Sequence, residues 1–136
     1  MQASRGVVSL GTDCNARIDM FEEMRLLEYS QRLARGRRGV LSSVEEGDLA
    51  DRGTDGNLAK LLLTCATTRG AEALGVEAGA IEKGKWADFT LIDLHAPALA
   101  GAADEDVLGA AIFGGSAEGL VVDTCVAGRW TADSRQ

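Results

Sequence analysis

The beginning of the chain combines two hydrophobic patterns with different periods. Residues 6–11 form a short apolar run that ends at a glycine, which predicts a buried β-strand. A polar turn follows at 12–15. Residues 20–35 then repeat apolar positions with helical spacing, and Asp19 precedes Glu22 at the spacing of a capping box with Asp as the N-cap. The pattern predicts strand, polar loop and helix, as in an α/β unit.

The next part of the chain predicts a loop and a second helix. Residues 41–56 are acidic and glycine-spaced with no sustained period, which indicates a surface loop. The apolar stripe that follows predicts a helix over 58–74, with Asn57 as its N-cap and Gly75 at its end. Gly70 lies inside this helix, where glycine costs about 1 kcal/mol relative to alanine, so we expect it to mark a close packing contact.

The last third of the chain favours strands. Residues 88–94 alternate, which predicts a strand whose successive side chains face opposite sides of a sheet. Asp104 is expected to cap a short helix over 105–113. Residues 119–128 predict a further strand, which turns at Ala127 and Gly128 toward the C-terminal residues.

Length and composition are those of a soluble globular protein. The chain has 136 residues, which suits one domain or part of a larger one. Hydrophobic residues make up 46% and charged residues 26%, proportions that exclude a wholly disordered chain. No apolar stretch reaches the roughly 18 residues of a membrane span, and residues 1–6 lack the apolar run of a secretory signal. We therefore expect no membrane partner.

Charge and cysteine content restrict the partners and the compartment further. Fourteen basic and 21 acidic residues give a net charge of −7, and the one tight basic cluster, 35–38, lies where it complements a helix C-terminus. Nucleic acid is therefore not expected as a partner. The three cysteines, Cys14, Cys65 and Cys125, are odd in number and widely spaced, which argues against a disulfide framework or a zinc knuckle. We expect reduced thiols in a cytoplasmic protein.

Asp13 is the strongest candidate for chemistry. It follows a predicted strand and precedes a helix, the position at which α/β barrels place catalytic groups. A carboxylate there can bind a divalent metal and accept a proton from metal-bound water. The alternative is that Asp13 only stabilises the turn, because Asp after Gly-Thr is a common turn residue.

Other candidates have a simpler structural explanation. Cys14 would need a nearby histidine to act as a nucleophile, and the only histidine, His95, lies far along the chain and is expected to be a loop residue. Glu22, Glu23 and Glu28 indicate the first turn and the solvated face of a helix rather than paired catalytic acids. A glycine pair after the third predicted helix lacks the lysine and the element order of a phosphate loop.

Several stretches together resemble a known family. Residues 11–15 read Gly-Thr-Asp-Cys-Asn, and residues 22–33 match the helix pattern E-E-L-R-x-L-E-Y-x-Q-R-L that follows a GSDS turn. Residues 67–75 and 79–89 are similar to a segment found across the same family, and 113–130 to its closing strands. On these residues the chain resembles the amidohydrolase superfamily, and among its members most resembles the formimidoylglutamate deiminases.

The resemblance implies a fold, an activity and a cofactor. The fold would be α/β: the last strand and helices of a TIM-like (β/α)8 metallo-hydrolase barrel over 1–75, and the C-terminal strands of a small β-sandwich domain over 76–136. The activity would be hydrolysis of a C–N bond other than a peptide bond, the deamination of a small-molecule substrate by a metal-activated hydroxide, with zinc as the implied cofactor. In the family, the aspartate that matches Asp13 ligates the metal or lies beside it, and transfers a proton to the leaving nitrogen.

The resemblance also implies a C-terminal fragment of such an enzyme. A (β/α)8 barrel takes about 250 residues, and the family's other metal ligands, an H-x-H pair and two further histidines, would lie upstream. Because zinc takes about three or four protein ligands, the chain alone is expected to be inactive. Two alternatives stay open: a related purine-type deaminase, and a non-catalytic scaffold that forms a homo-oligomer or is completed by a separate chain.

Overall fold

The computed structural model describes residues 8–38, 40–43 and 55–131. Its helices are α1 (Met20–Arg35), α2 (Val40–Ser43), α3 (Asp55–Ala66), α4 (Thr68–Leu74), α5 (Val107–Gly114) and α6 (Ala117–Leu120), with 3-10 helices at Pro97–Leu99 and Asp104–Asp106. Its strands are β1 (Phe89–Ile92), β2 (Val121–Val126) and β3 (Arg129–Trp130). Within these ranges, no helix is both long enough and apolar enough to cross a membrane.

The helix expected over 20–35 is confirmed as α1. Asp19 is its N-cap, because its Oδ1 accepts hydrogen bonds from the backbone N–H of Phe21 at 2.9 Å and of Glu22 at 3.3 Å. The helix ends at Gly36, whose φ of 64° is a left-handed conformation that glycine adopts without steric cost. Local signals at both ends therefore set the length of α1.

The segment before α1 differs from the expectation. Residues 6 and 7 of the predicted strand lie outside the described residues, and 8–11 form no strand. Instead, the backbone N–H of Leu10 donates to the carbonyl oxygen of Cys65, at the end of α3, at 3.0 Å. A strand needs a hydrogen-bonded neighbour, and none of the strands in the described sheet lies beside this segment. Among the described residues, 8–11 therefore have no neighbouring strand, and the barrel that the resemblance implies stays a prediction.

The two ends of the loop predicted over 41–56 are helical instead. Its first residues belong to α2 and its last residues to α3, while 44–54 lie outside the described residues. Because α3 begins at Asp55, Asn57 lies within the helix and is not its N-cap. Burial of Leu58 and Leu62 against α1 stabilises α3 without that cap, since tertiary packing contributes most of a helix's stability.

The second long helix that the sequence predicts is interrupted. Thr67 has φ −129° and ψ −92°, outside helical values, and separates α3 from α4. The hydroxyl of Thr67 donates to the carbonyl oxygen of Leu63 at 2.7 Å, and that of Thr64 to Lys60 at 2.8 Å. Threonine hydroxyls that bond to a preceding carbonyl compete with the backbone and favour a break at this point. As predicted, α4 ends at Gly75, whose φ is 67°.

The close glycine contact lies at a different position from the one predicted. A Cβ built on Gly70 would meet nothing within 4 Å. At Gly79, φ is 80° and a Cβ would lie 2.8 Å from the carbonyl oxygen of Thr67. The backbone of Gly79 therefore packs directly on the break between α3 and α4, an approach that only a residue without a side chain permits.

We expect Gly79→Ala to lower the free energy of unfolding by about 2 kcal/mol, because the methyl group adds a clash with backbone to left-handed strain. Gly70→Ala is the matched control: its methyl group enters open space inside α4, and alanine stabilises a helix by up to about 1 kcal/mol relative to glycine. Urea titration measures both changes. If the two substitutions change the free energy of unfolding by the same amount and in the same direction, the close contact at Gly79 is contradicted.

One antiparallel sheet has the strand order β1-β2-β3. The strand predicted over 88–94 is confirmed over the residues of β1. The predicted regular alternation of its side chains between the two faces of the sheet is wrong. Leu91 pairs with Asp123 whereas Ile92 pairs with Val121, so β2 carries an extra residue at this step. Such a bulge twists the strand locally. As a result Leu91 is 50% exposed, while Ile92 packs against the core.

The turn between β2 and β3 is where the sequence places it. Ala127 and Gly128 have φ values of 50° and 79°, the combination of a type I′ hairpin turn. The strand predicted over 119–128 is shorter than expected because its first residues belong to α6. That helix begins after Ser116, whose hydroxyl oxygen accepts from the backbone N–H of Gly119 at 3.4 Å.

The helix predicted over 105–113 is confirmed in its main part by α5, but its predicted cap is wrong. Asp104 lies inside the 3-10 helix that precedes α5, and neither its side chain nor that of Asp106 makes a capping hydrogen bond. Burial fixes this helix instead, because Ile112 is fully buried between α1 and α3.

Two hydrophobic clusters hold the fold together. The first lies between α1, α3 and α5 and contains Met24, Leu58, Ala59, Leu62 and Ile112. The second lies beside it and contains Ala96, Leu99, Ala111 and Leu120. Phe21 of α1 packs against both clusters, and α5 contributes to both. The first cluster therefore contains residues from both sides of the predicted domain boundary between 75 and 76. That boundary stays a prediction.

Candidate functional site

Asp13 lies in a tight turn at the entry to α1. The backbone N–H of Asn15 donates to the carbonyl oxygen of Thr12 at 2.8 Å and closes the turn. Between them, Asp13 has a φ of 42°, a left-handed value that costs a residue with a Cβ about 1–2 kcal/mol. Such a conformation persists only where neighbouring contacts hold it in place.

The carboxylate of Asp13 is available to an incoming molecule. Asp13 is exposed, and among the residues that the structure describes no hydrogen bond or ion pair joins its side chain to another group. A residue that only stabilised its turn would be expected to bond to a nearby backbone N–H. Within 8–38, 40–43 and 55–131, the geometry therefore leaves both carboxylate oxygens of Asp13 available to accept a proton or bind a cation.

Two contacts fix the turn on either side of Asp13. Before it, the backbone N–H of Leu10 donates to the carbonyl oxygen of Cys65 on α3. After it, the side-chain Nδ2 of Asn15 donates to Oε1 of Glu23, in the first turn of α1. The second contact was not predicted from the sequence, because Glu23 carries no signal that separates it from other acids in a helix first turn.

Asp19 stabilises the start of α1, the helix that follows this turn. Besides capping α1 through Oδ1, it accepts a hydrogen bond at Oδ2 from the backbone N–H of Ala117, at 3.1 Å, and it is buried. Arg25, further along α1, donates through Nη1 to the carbonyl oxygens of Ile112, at 2.7 Å, and Gly115. These contacts join α1 to the end of α5, the start of α6 and Gly115 between them, which sequence spacing could not indicate.

The three acids that the sequence assigns to the first turn and the solvated face of a helix have different environments. Glu22 pairs with the exposed side chain of Arg17 at 3.5 Å, as such a face predicts. Glu23 holds Asn15. Glu28 contradicts the prediction: its side chain is fully buried, and its Oε1 accepts from Nε of Arg32 at 2.8 Å. Glu28 therefore lies in the interior of the protein and not on the solvated face of α1.

The remaining candidates are not brought to Asp13 by a described contact. Cys14 is exposed beside it, whereas His95 lies in the exposed turn after β1, where its backbone N–H donates to Oδ1 of Asp93 at 2.8 Å. The glycine pair lies at the end of α5, with Gly114 as the last residue of the helix. Its Gly115 carbonyl oxygen accepts a hydrogen bond from Arg25, whereas a phosphate site needs backbone N–H donors.

A zinc ion does not fit the described residues by themselves. Nowhere in 8–38, 40–43 or 55–131 do three or more His, Cys, Asp or Glu side chains converge as metal ligands. Zinc in a catalytic site takes about three protein ligands and one open position. Asp13 supplies one carboxylate, so a complete zinc site would need further ligands from outside these ranges.

Comparison with known proteins gives a family match over almost the whole chain. The model of the amidohydrolase family matches residues 3–131. The chain is 33% identical over 128 residues to formimidoylglutamate deiminase of Pseudomonas aeruginosa. The aligned region covers 94% of this chain and 26% of that protein.

Two other relatives are named as deaminases of adenosine compounds. The chain is 35% identical over 95 residues to 5-methylthioadenosine/S-adenosylhomocysteine deaminase of Pyrococcus furiosus, covering 68% of this chain and 19% of that protein. It is 34% identical over 99 residues to 5'-deoxyadenosine deaminase of Methanosarcina mazei, covering 70% of this chain and 19% of that protein. The chain thus spans about a fifth to a quarter of the length of these relatives.

Proposed function

Because the chain belongs to the amidohydrolase family, we propose that it forms part of an enzyme that releases ammonia from a small molecule by hydrolysis. Asp13 is the residue that would act on the reacting atoms. The observation that carries the proposal is its exposed carboxylate, which is held at a φ of 42° in the turn before α1 and has no partner among the described side chains.

The proposed role of Asp13 is proton transfer. An ionised carboxylate accepts a proton from the attacking water and returns it to the departing nitrogen, which leaves as ammonia. The strained turn supports this role, because residues in sparsely populated backbone conformations cluster at active sites. Members of the family generally bind a metal, often zinc, and in this proposal Asp13 is one ligand among others that lie outside the described residues.

We propose an architecture on the same basis. Residues 1–75 would belong to the C-terminal portion of the barrel, and 76–136 to the C-terminal strands of a small β-domain. Support comes from the family match over 3–131 and from the length of the relatives, of which the chain matches at most 26% among those compared.

The proposed substrate is a formimino compound of the formimidoylglutamate type. The support is the long match to formimidoylglutamate deiminase, which extends over 94% of this chain. A second candidate is an adenosine-type nucleoside, favoured by matches of 31–36% identity to deaminases named for such substrates. Both reactions release ammonia, so a single assay compares them.

The test compares the chain alone with a hybrid enzyme, in which this chain replaces the matching segment of the Pseudomonas aeruginosa deiminase. After dialysis against zinc, we expect the chain alone to retain less than about a tenth of an equivalent, because one carboxylate does not hold the ion, and to release no ammonia. The hybrid is expected to bind zinc and to release ammonia from formimidoylglutamate faster than from 5'-deoxyadenosine or methylthioadenosine.

Each contrary result points to a different error. Near one equivalent of zinc on the chain alone, lost in Asp13→Ala, would contradict the shared metal site. A hybrid that prefers the nucleosides would favour the second substrate class. A hybrid that folds, by near-UV circular dichroism, but deaminates none of these compounds would favour a non-catalytic scaffold.

A further inference from the structure

The conformation of Asp13 needs support from outside its own turn. Its φ of 42° is one that residues with a Cβ rarely adopt, and the turn's single closing hydrogen bond, between Asn15 and Thr12, is compatible with ordinary turns in which this φ is negative. Among the described residues, the contacts that can select the left-handed conformation are those that fix the two ends of the turn.

The end that follows Asp13 is attached to a rigid element. The Nδ2 group of Asn15 donates to Oε1 of Glu23, and this bond has an ionised acceptor, which strengthens it. Glu23 itself lies in the first turn of α1, which Asp19 caps and also joins to the backbone of Ala117. Asn15 is exposed and Glu23 half-buried, so the helix provides the fixed side of the contact and the turn provides the adjustable side.

We infer that Glu23 is a positioning residue that acts through Asn15 to hold Asp13 in its left-handed conformation. The carboxylate of Glu23 does not touch the reacting atoms in this assignment. It fixes the side chain of Asn15, and this fixes the backbone two residues after Asp13, so the Asp13 carboxylate keeps one direction. The catalytic consequence rests on the proposed function of Asp13, whereas the structural consequence does not.

The neighbouring acid provides a matched comparison. Glu22 lies beside Glu23 in the same helix turn and carries the same charge, but its carboxylate faces Arg17 at 3.5 Å. A general effect of negative charge at the N-terminus of α1 would be shared by both residues. An effect that passes through Asn15 belongs to Glu23 alone.

The first measurement is solution NMR on the isotope-labelled 136-residue chain. A positive φ gives Asp13 a strong nuclear Overhauser effect between its own amide proton and Hα. We expect Glu23→Ala to weaken this signal to the level of ordinary turn residues. Glu23→Gln keeps an acceptor oxygen for Asn15 and is expected to retain the signal, as is Glu22→Ala. An unchanged signal in Glu23→Ala would overturn the inference.

The second measurement asks what the contact does for the reaction. In the hybrid enzyme, we expect Glu23→Ala to lower kcat by at least about tenfold, because small displacements of a reacting group cost rate steeply. KM should change by less than about twofold, since substrate binding is not affected by this contact. Glu23→Gln should recover most of kcat, and Glu22→Ala should leave it unchanged.

The outcomes separate this inference from the proposed function. If Asp13→Asn abolishes turnover but Glu23→Ala leaves kcat unchanged, the positioning role is wrong and the role of Asp13 stands. If the NMR signal is lost in Glu23→Ala but Asp13→Asn leaves turnover intact, the contact is supported and the proposed function is contradicted. Loss of both kcat and signal in Glu23→Ala, with recovery in Glu23→Gln, supports both.

Discussion

In the hybrid enzyme described above, Asp13→Asn is expected to lower kcat for ammonia release by about 10³-fold, equivalent to roughly 4 kcal/mol of transition-state stabilisation. The amide has nearly the shape of the carboxylate but cannot accept and return a proton. Asparagine also tolerates a left-handed φ as well as aspartate does, so the turn should keep its conformation. Steady-state assays of ammonia release give kcat and KM separately.

The control for this substitution is its neighbour in the turn. Cys14 is also exposed, and Cys14→Ser is expected to change kcat by less than about threefold, because no described contact gives it a role. If Asp13→Asn stays within that same range, Asp13 is a turn residue only, which is the alternative that the sequence left open. The two variants together separate damage to the turn from loss of the carboxylate.

Sequence signals predicted the elements whose limits are set locally. The ends of α1 follow from Asp19, which bonds to the first backbone amides, and from Gly36, which takes a left-handed φ. The hairpin turn lies at Ala127 and Gly128, as the sequence predicts, and both residues have the positive φ that such a turn requires. In each case the interaction that fixes the element lies within a few residues of it, so the local pattern contains the information.

The features that the sequence did not predict depend on residues far apart in the chain. Gly79 packs on the break at Thr67, and the helical period on either side of the break gives no sign of that approach. The absence of a strand over 8–11 depends on the partner of Leu10, which is the carbonyl of Cys65 on α3. Periodicity describes which face of an element is apolar, but not which element covers it.

The candidate site likewise has some features that the sequence predicts and others that it does not. The sequence places Asp13 between an apolar segment and α1, and the structure agrees on that position. The left-handed φ of Asp13 and the contact between Asn15 and Glu23 were not foreseen, because neither residue type nor spacing specifies them. Glu22 and Glu23 lie side by side in the first turn of α1 and Glu28 lies further along the helix, but the contacts that give each residue its environment appear only in the folded structure.

Glu28 and Arg32 provide the largest expected change in stability. Glu28 is fully buried, and Arg32, whose side chain is 31% exposed, pairs with it and lies over the rings of Tyr29, at 5.1 Å, and Phe113, at 5.7 Å. We expect Arg32→Met to lower the free energy of unfolding by about 3 kcal/mol, because it removes the cation beside a buried carboxylate. Methionine keeps contact with both rings, so the loss reports mainly on charge.

Two further variants decide whether that loss comes from the buried pair. Arg35→Met removes an equal charge from the exposed end of the same helix, and we expect it to change stability by less than about 0.5 kcal/mol. Combining Arg32→Met with Glu28→Met removes the buried carboxylate as well, so most of the stability should return. If Arg32→Met alone behaves like Arg35→Met in urea titration, the pair does not stabilise the fold. If the double variant is no more stable than Arg32→Met, the loss came from the contact of the Arg32 guanidinium with the rings of Tyr29 and Phe113 rather than from its pair with Glu28.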